Sequence, residues 1–294
     1  MKIIFGQLSL VLLIWAAFYL WPYNVRIVFA FMIHDSNTLK GFQEFLENYY
    51  SEQHYYLVHI DKKLQKVDFS QSNVHVVDQQ ISVKWGKYSL LYSQLLLLKL
   101  ARDLPFDYFY FLDGMTVPIK PLKELQQFLV KLHPESTAMF NKLPVPPCKI
   151  NDNACGRTKA RCIDEECTKY TITPHGAPVY KSTQWVMLSK PFTDYMFNNP
   201  KWFSQWLNFF KHTGVPDESF FQTLLMDSPF NKTQIFQQPM YTKWQYCFKY
   251  PKRKGFSPCW LTQADYVDIV TSNQWFARKI EIDNELRTSL YNRL

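Results

Sequence analysis

Glycine is scarce in this chain, with 8 in 294 residues, while hydrophobic residues reach 47% and aromatics 17%. That balance excludes a low-complexity or disordered chain, and no repeat recurs at a fixed period. Motifs for nucleic-acid binding are also missing. Lys and Arg outnumber Asp and Glu by 33 to 25, for a net charge of +8. Such an excess suits nucleic acid, an anionic membrane surface or an anionic substrate. The basic residues are dispersed apart from Lys252, Arg253 and Lys254, so a nucleic-acid partner is not expected. No linker-like segment divides the chain, and its length and apolar content fit one large unit with a substantial core.

Charge is missing altogether from Ile3 to Trp21, a run of 19 residues. A membrane span needs about 20. Lys2 precedes the run, and Trp15, Tyr19 and Trp21 occupy its outer half, as an interfacial belt would. No small-x-small cleavage site follows. Residues 1–23 are therefore expected to be an uncleaved signal anchor, a transmembrane helix with a cytosolic N-terminus and almost no stalk. A cleaved signal peptide is the alternative. Residues 24–294 then form a lumenal domain, in a single-pass type II protein of the Golgi or another secretory-pathway membrane.

The six cysteines lack the paired CxxC spacing of a zinc site. Cys148, Cys155, Cys162 and Cys167 lie close together, with Cys247 and Cys259 further on. An exported chain with an even number of cysteines is expected to carry disulfides, locally among the first four and between Cys247 and Cys259. Residues 144–175 have proline, charge and cysteine but no hydrophobic period, and read as a Cys-rich insertion at the surface. Asn231-Lys232-Thr233 is the one N-glycosylation sequon.

Between these features, strands and helices alternate. "NVRIVFAFMIH", "HYYLVHID", "NVHVVD" and "DYFYFLDG" read as buried strands, with helices over Thr38–Tyr50, "YSLLYSQLLLLKLARDL" and the segment after Pro121. The fold class is α/β, a mixed and mostly parallel sheet flanked by helices. Ligands of such sheets gather beyond the carboxyl ends of the strands, where His34, Asp61 and Asp113 stand. In the second half, "PVYKSTQWVMLS", "YTKWQY" and "FARKIEID" read as strands. "VPDESFFQTLL" (215–225) has two readings. Pro216, two acids and a helical apolar period fit a capped amphipathic helix. A carboxylate beside apolar walls also fits a general base.

The motifs "HIDKK" (59–63), "VKWGKYSLLYSQLLLLK" (83–99), "YFYFLDGMTVPIKPLKEL" (108–125), "STQWVMLSKPFTDYM" (182–196), "VPDESFFQTLL", "YTKWQY" (241–246) and "FARKIEID" (276–283) resemble, in order, the core-2/I-branching N-acetylglucosaminyltransferase and xylosyltransferase family, glycosyltransferase family 14. The resemblance implies a GT-A-like nucleotide-sugar fold and an inverting transfer of GlcNAc or xylose from a UDP donor to a glycan or glycoprotein acceptor. It also implies that Glu218 is the base, with Asp217 orienting or capping. No Asp-x-Asp occurs in the chain. The family is similar in doing without a metal, so no metal or other cofactor is expected and basic side chains would meet the diphosphate.

Lys279 sits on the matching position, and Arg278 beside it is a further donor-binding candidate, although on a strand it would point the other way. The family's second cation does not align, and Arg253 or Lys254 is the candidate replacement. By the same resemblance His34 and Asp61 contact the nucleoside, and Trp244 and Tyr246 receive the acceptor sugar. Trp85 reads as structural, packing the long helix against the sheet. Lys181-Ser182-Thr183 departs from the family's glycine–serine element. Two other readings remain open: a non-catalytic glycan-binding or scaffold member of the fold, and a metal-dependent retaining transferase.

Overall fold

The computed structural model describes residues 24–132, 139–140, 160–163, 166–169, 173–235, 237–245 and 257–294. The expected anchor, and Tyr246, Arg253 and Lys254, lie outside the described residues. Among the described residues no helix is long and apolar enough to cross a membrane.

Twelve strands are described: β1 (Ile27–Ile33), β2 (Tyr55–Ile60), β3 (Val74–Val76), β4 (Tyr108–Asp113), β5 (Val117–Pro118), β6 (Met139–Phe140), β7 (Ala160–Ile163), β8 (Glu166–Lys169), β9 (Met187–Ser189), β10 (Gln234–Ile235), β11 (Met240–Tyr241) and β12 (Phe276–Ala277). The helices are α1 (Ser36–Tyr49), α2 (Tyr88–Ala101), α3 (Leu122–Leu132), α4 (Lys190–Asn198), α5 (Pro200–Phe210), α6 (Phe220–Met226), α7 (Tyr266–Val270) and α8 (Glu285–Tyr291). Seven strands form one sheet in the order β10-β6-β9-β4-β1-β2-β3, parallel except where β9 runs against β4 and β6. This is the expected mixed, mostly parallel α/β architecture, and it fits a GT-A-like fold.

Every residue of β1 and β4 is buried, because helices cover both faces of a parallel sheet. That burial explains the unbroken apolar runs and the ring contacts of Phe29, Phe31 and Phe111 with Phe45, Tyr56, Phe42 and Phe221. The helix α2 is apolar on nearly all sides for the same reason. At the start of α1, Asp35 accepts from Thr38 N at 2.7 Å, and Thr38 Oγ1 receives the Asp35 N–H, a reciprocal cap at the very end of β1.

The second sheet is small, in the order β11-β12-β5. It rests on its own core of Val117, Ile119, Leu261, Ala277, Ile280 and Leu286. This second core holds the segment after β12 against the carboxyl end of the main sheet.

Three strands are shorter than the sequence suggests. Of "PVYKSTQWVMLS" only Met187–Ser189 is strand, since Ser182 N donates to Glu218 O instead of to a neighbouring strand. "YTKWQY" keeps strand only through Tyr241. "FARKIEID" stops at Ala277, because the next amides and carbonyls bond to three separate segments, at Tyr241, Leu261 and Met115. The single helix expected over 215–225 is divided. Val215 takes a left-handed conformation at φ 51°, Pro216–Glu218 make a 3₁₀ turn, and α6 begins only at Phe220. Neither acid caps it. Within the Cys-rich insertion, the described backbone forms the β7–β8 hairpin with Cys162 opposite Cys167. Cys259 is buried and disulfide-bonded, and its expected partner Cys247 lies outside the described residues.

Candidate active site

A cleft of about 770 Å³ opens at the carboxyl ends of β1, β2 and β4. Its floor is formed by Met32, Ile33, His34, His59 and Asp113, residues at the ends of these three strands. Parallel pairing ends together at Ile33–Ile60 and Met32–Asp113, so the three polar ends converge. Burial holds the imidazole pKa of His59 below its ordinary value, against a smaller opposing effect of Asp61. His34 is half exposed, with Nε2 3.5 Å from Asp35.

One wall carries Glu218. Val215 N donates to Gly86 O at 2.9 Å, which ties the 3₁₀ turn to the loop before α2. Gly86 itself has φ +70°, so only glycine accepts that conformation without strain. Glu218 Oε2 lies 3.2 Å from Lys181 Nζ, and each side chain keeps about a third of its surface in solvent (31% and 30%). Asp217 points away from the cleft into the core, and its Oδ1 has no partner among the described residues. Burial, reinforced by the neighbouring Glu218 charge, pushes its carboxyl up to about 7. The two adjacent acids therefore stand in different media: one lines the cleft beside a cation, the other sits buried.

The facing wall carries Arg278 and Lys279. Both line the cleft, contrary to the strand alternation that would have separated them, because the strand ends at Ala277. Arg278 Nη2 donates to Asp113 Oδ2 at 2.5 Å, and the guanidinium stacks over Trp185 at 4.1 Å. Burial alone would raise the Asp113 carboxyl, but the Arg278 charge and hydrogen bond, with Thr116, hold it below the ordinary value. Lys279 Nζ donates to Ser257 Oγ at 3.0 Å and lies 5.4 Å from the Trp260 ring centroid.

Asp61 does not line the cleft. It is buried and accepts from Lys63 N at 3.0 Å and Val83 N at 3.0 Å, organising the loop that presents Lys63 and Val83 to the cavity. Trp244 lines the cleft and is 49% exposed. Trp85 also lines it and is 70% exposed, which corrects the expectation that it packs α2 on the sheet.

Sequence reasoning also missed Lys181 as the partner of Glu218. It missed four buried atoms of cleft residues without partners among the described residues: His59 Nε2, Ser182 Oγ, Gln184 Oε1 and Arg278 Nε. Unpaired buried polar atoms are uncommon and costly. Others occur in the core away from the cleft, at His54, Gln94 and Tyr110 among them, so these four do not by themselves mark a ligand. Among the described residues no group of three or more His, Cys, Asp or Glu side chains is placed to hold a metal ion.

A family model described as "Core-2/I-Branching enzyme" matches residues 27–273. Xylosyltransferase 1 of Rattus norvegicus is 28% identical over 247 residues, 77% of this chain and 29% of its own length. Xylosyltransferase oxt of Drosophila pseudoobscura pseudoobscura is 28% identical over 295 residues, 88% of this chain and 32% of its own length. Xylosyltransferase of Ciona intestinalis is 26% identical over 279 residues, again 32% of that protein. The chain spans about a third or less of the curated relatives it matches. It belongs to the Core-2/I-branching enzyme family.

Proposed function

We propose that this chain transfers a sugar from a UDP donor to a hydroxyl of a glycan or glycoprotein, with inversion and without a metal. The observation that carries the reading is that Glu218 and Lys279 line one cleft at the carboxyl end of a mostly parallel sheet. In such a transfer the acceptor oxygen attacks the anomeric carbon from the face opposite the leaving diphosphate. Glu218 takes the hydroxyl proton as that bond forms. The bond from the anomeric carbon to the diphosphate breaks, and UDP leaves with the electron pair. Lys279 meets the charge that develops there, a task that other active sites give to a metal ion.

Metal independence is supported by the state of Asp113. Its carboxylate is already neutralised by Arg278, with Thr116 Oγ1 and Met115 N on its other oxygen. Arg278 is held in the buried pair with Asp113 and is assigned the support, and Lys279, on the position that the family resemblance gives, is assigned the direct contact. Trp244 offers an exposed aromatic face of the kind that packs on pyranose rings. The relatives are named xylosyltransferases and the family is named for branching enzymes, so UDP-xylose and UDP-GlcNAc are the donors to test. The disulfide at Cys259 supports an oxidising, secretory-pathway setting.

The test is UDP release with each donor, with and without EDTA, against mixed glycan and glycoprotein acceptors. Release from one donor that survives EDTA is expected. Release abolished by EDTA would overturn the metal-free reading. UDP binding with no release from either donor would instead favour a glycan-binding member of the fold.

A further inference from the structure

Lys279 stands on a segment with little regular structure around it. β12 is two residues long, and past it the backbone makes isolated contacts: Arg278 N to Tyr241 O at 3.0 Å, Leu261 N to Lys279 O at 2.8 Å and Ile280 N to Met115 O at 3.1 Å. What closes this segment against the sheet is a residue on the last helix. Arg287 is only 2% exposed. Its Nη2 donates to Gly41 O at 3.2 Å and to Gly114 O at 3.1 Å, and its Nη1 to Ile280 O at 3.4 Å. Its Nε donates to Glu44 Oε2.

Those carbonyls belong to three separate elements. Gly41 is in α1, Gly114 follows Asp113 at the end of β4, and Ile280 follows Lys279. A single guanidinium reaches all three because the backbones meet without side chains between them. A Cβ on Gly41 would lie 1.9 Å from Gly114 O, and a Cβ on Gly114 would lie 1.9 Å from Thr38 O. A second pair repeats the join one helical turn away: Lys40 Nζ lies 2.7 and 2.9 Å from the Asp283 carboxylate. Lys40 and Glu44 of α1 thus face Asp283 and Arg287 in matching register. Arg287 and its helix fall beyond the residues that the family model matches.

We infer that Arg287 is a positioning residue for the diphosphate end of the cleft, fixing Lys279 relative to the Asp113–Arg278 pair from behind. The inference rests on the proposed role of Lys279. A buried guanidinium that spends four of its five N–H donors on a carboxylate and three carbonyls holds one geometry rather than sampling several. Arg287 does not line the cleft. Its effect on ligand passes wholly through the backbone of residues 114 and 280.

The experiment uses the full chain and compares the affinities for UDP and for uridine by titration calorimetry. Replacing Arg287 alone by an apolar residue would strand the Glu44 charge, so the main variant is Glu44→Gln with Arg287→Met, which removes both. Arg287→Lys serves as the second, since it keeps the charge and loses the fork. Both are expected to bind uridine within about twofold of the parent, while UDP weakens about tenfold in the double variant, the loss of one charge-assisted contact. Arg287→Lys is expected to lose about threefold by keeping part of that contact.

A residue that only stabilises the fold would lower both affinities alike or neither, and either result would overturn the inference. Lys279→Ala is the control. If it selectively weakens UDP while the Arg287 variants do not, only the positioning role falls. If Lys279→Ala leaves the UDP-to-uridine ratio unchanged, the assignment of Lys279 falls and the role of Arg287 falls with it.

Discussion

Arg278 Nη2 donates to Asp113 Oδ2 at 2.5 Å, joining two residues 165 positions apart in sequence. The bond links the end of the central strand β4 to the segment that carries Lys279. Both partners are buried, so removing one leaves an uncompensated charge in the interior. Asp113→Ala is expected to cost about 3–5 kcal/mol, read as a lower denaturant midpoint in urea. The pair also makes stability sensitive to acid. The folded carboxyl titrates below its unfolded value, so this contribution is complete above about pH 4 and is lost as pH falls through the folded pKa.

Asp217 works in the opposite sense. Its folded pKa of about 7 lies above the unfolded value of 3.8. The stability tied to its proton is fully present below the unfolded value and is lost as pH rises through about 7. Asp217→Asn, which cannot ionise, is expected to flatten stability against pH between about 4 and 7, by up to an order of 4 kcal/mol. Thermal melts of the two proteins across that range check it. A parallel pH dependence in the variant would contradict the burial argument.

Trp85 and Trp244 are expected to separate binding from folding. Both are exposed at the cleft, so replacement by alanine should change stability by no more than about 0.5 kcal/mol. Under the proposed reading, in which Trp244 receives the acceptor sugar, losing its aromatic face is worth about 0.5–1.5 kcal/mol, roughly 2- to 12-fold. Acceptor KM for Trp244→Ala should rise by that factor with donor KM unchanged. A large loss of stability in Trp85→Ala would return that residue to a packing role.

Lys181 Nζ lies 3.2 Å from Glu218 Oε2, and under the proposed reading it orients the base. Lys181→Met is expected to lower kcat about tenfold with donor KM unchanged, and Lys181→Arg to restore most of it, since arginine keeps a charged donor on the carboxylate. Steady-state kinetics of the two variants decide it. Equal losses in both would mean that the wall, and not the ion pair, is what matters.

Much of this architecture is legible in the sequence, for identifiable reasons. The strands β1, β2 and β4 are buried on both faces, so their apolar runs announce them, and their polar ends mark the cleft. Glu218 and Lys279 are singled out through motif resemblance, not through local pattern, and both line the cleft. What stays hidden depends on distance along the chain. The contacts of Arg287 cross 246, 243 and 173 residues, and no periodicity carries such information. Trp85 is read as packing, whereas it lines the cleft and is 70% exposed. Arg278, a candidate from the start, lines the cleft with Lys279; only its expected opposite orientation fails, because alternation was carried past the point where the strand ends. The split of the 215–225 helix is concealed by the left-handed conformation of a valine, a residue that rarely adopts it.

The most direct test of the account is single-turnover transfer by Glu218→Gln, with UDP affinity measured on the same protein. The variant keeps the shape and a hydrogen-bonding partner for Lys181 but cannot accept a proton at neutral pH. The account predicts a rate lower by about 10²–10⁴, with UDP affinity unchanged. Turnover within a few-fold of the parent, at equal UDP affinity, would contradict it and remove Glu218 as the base.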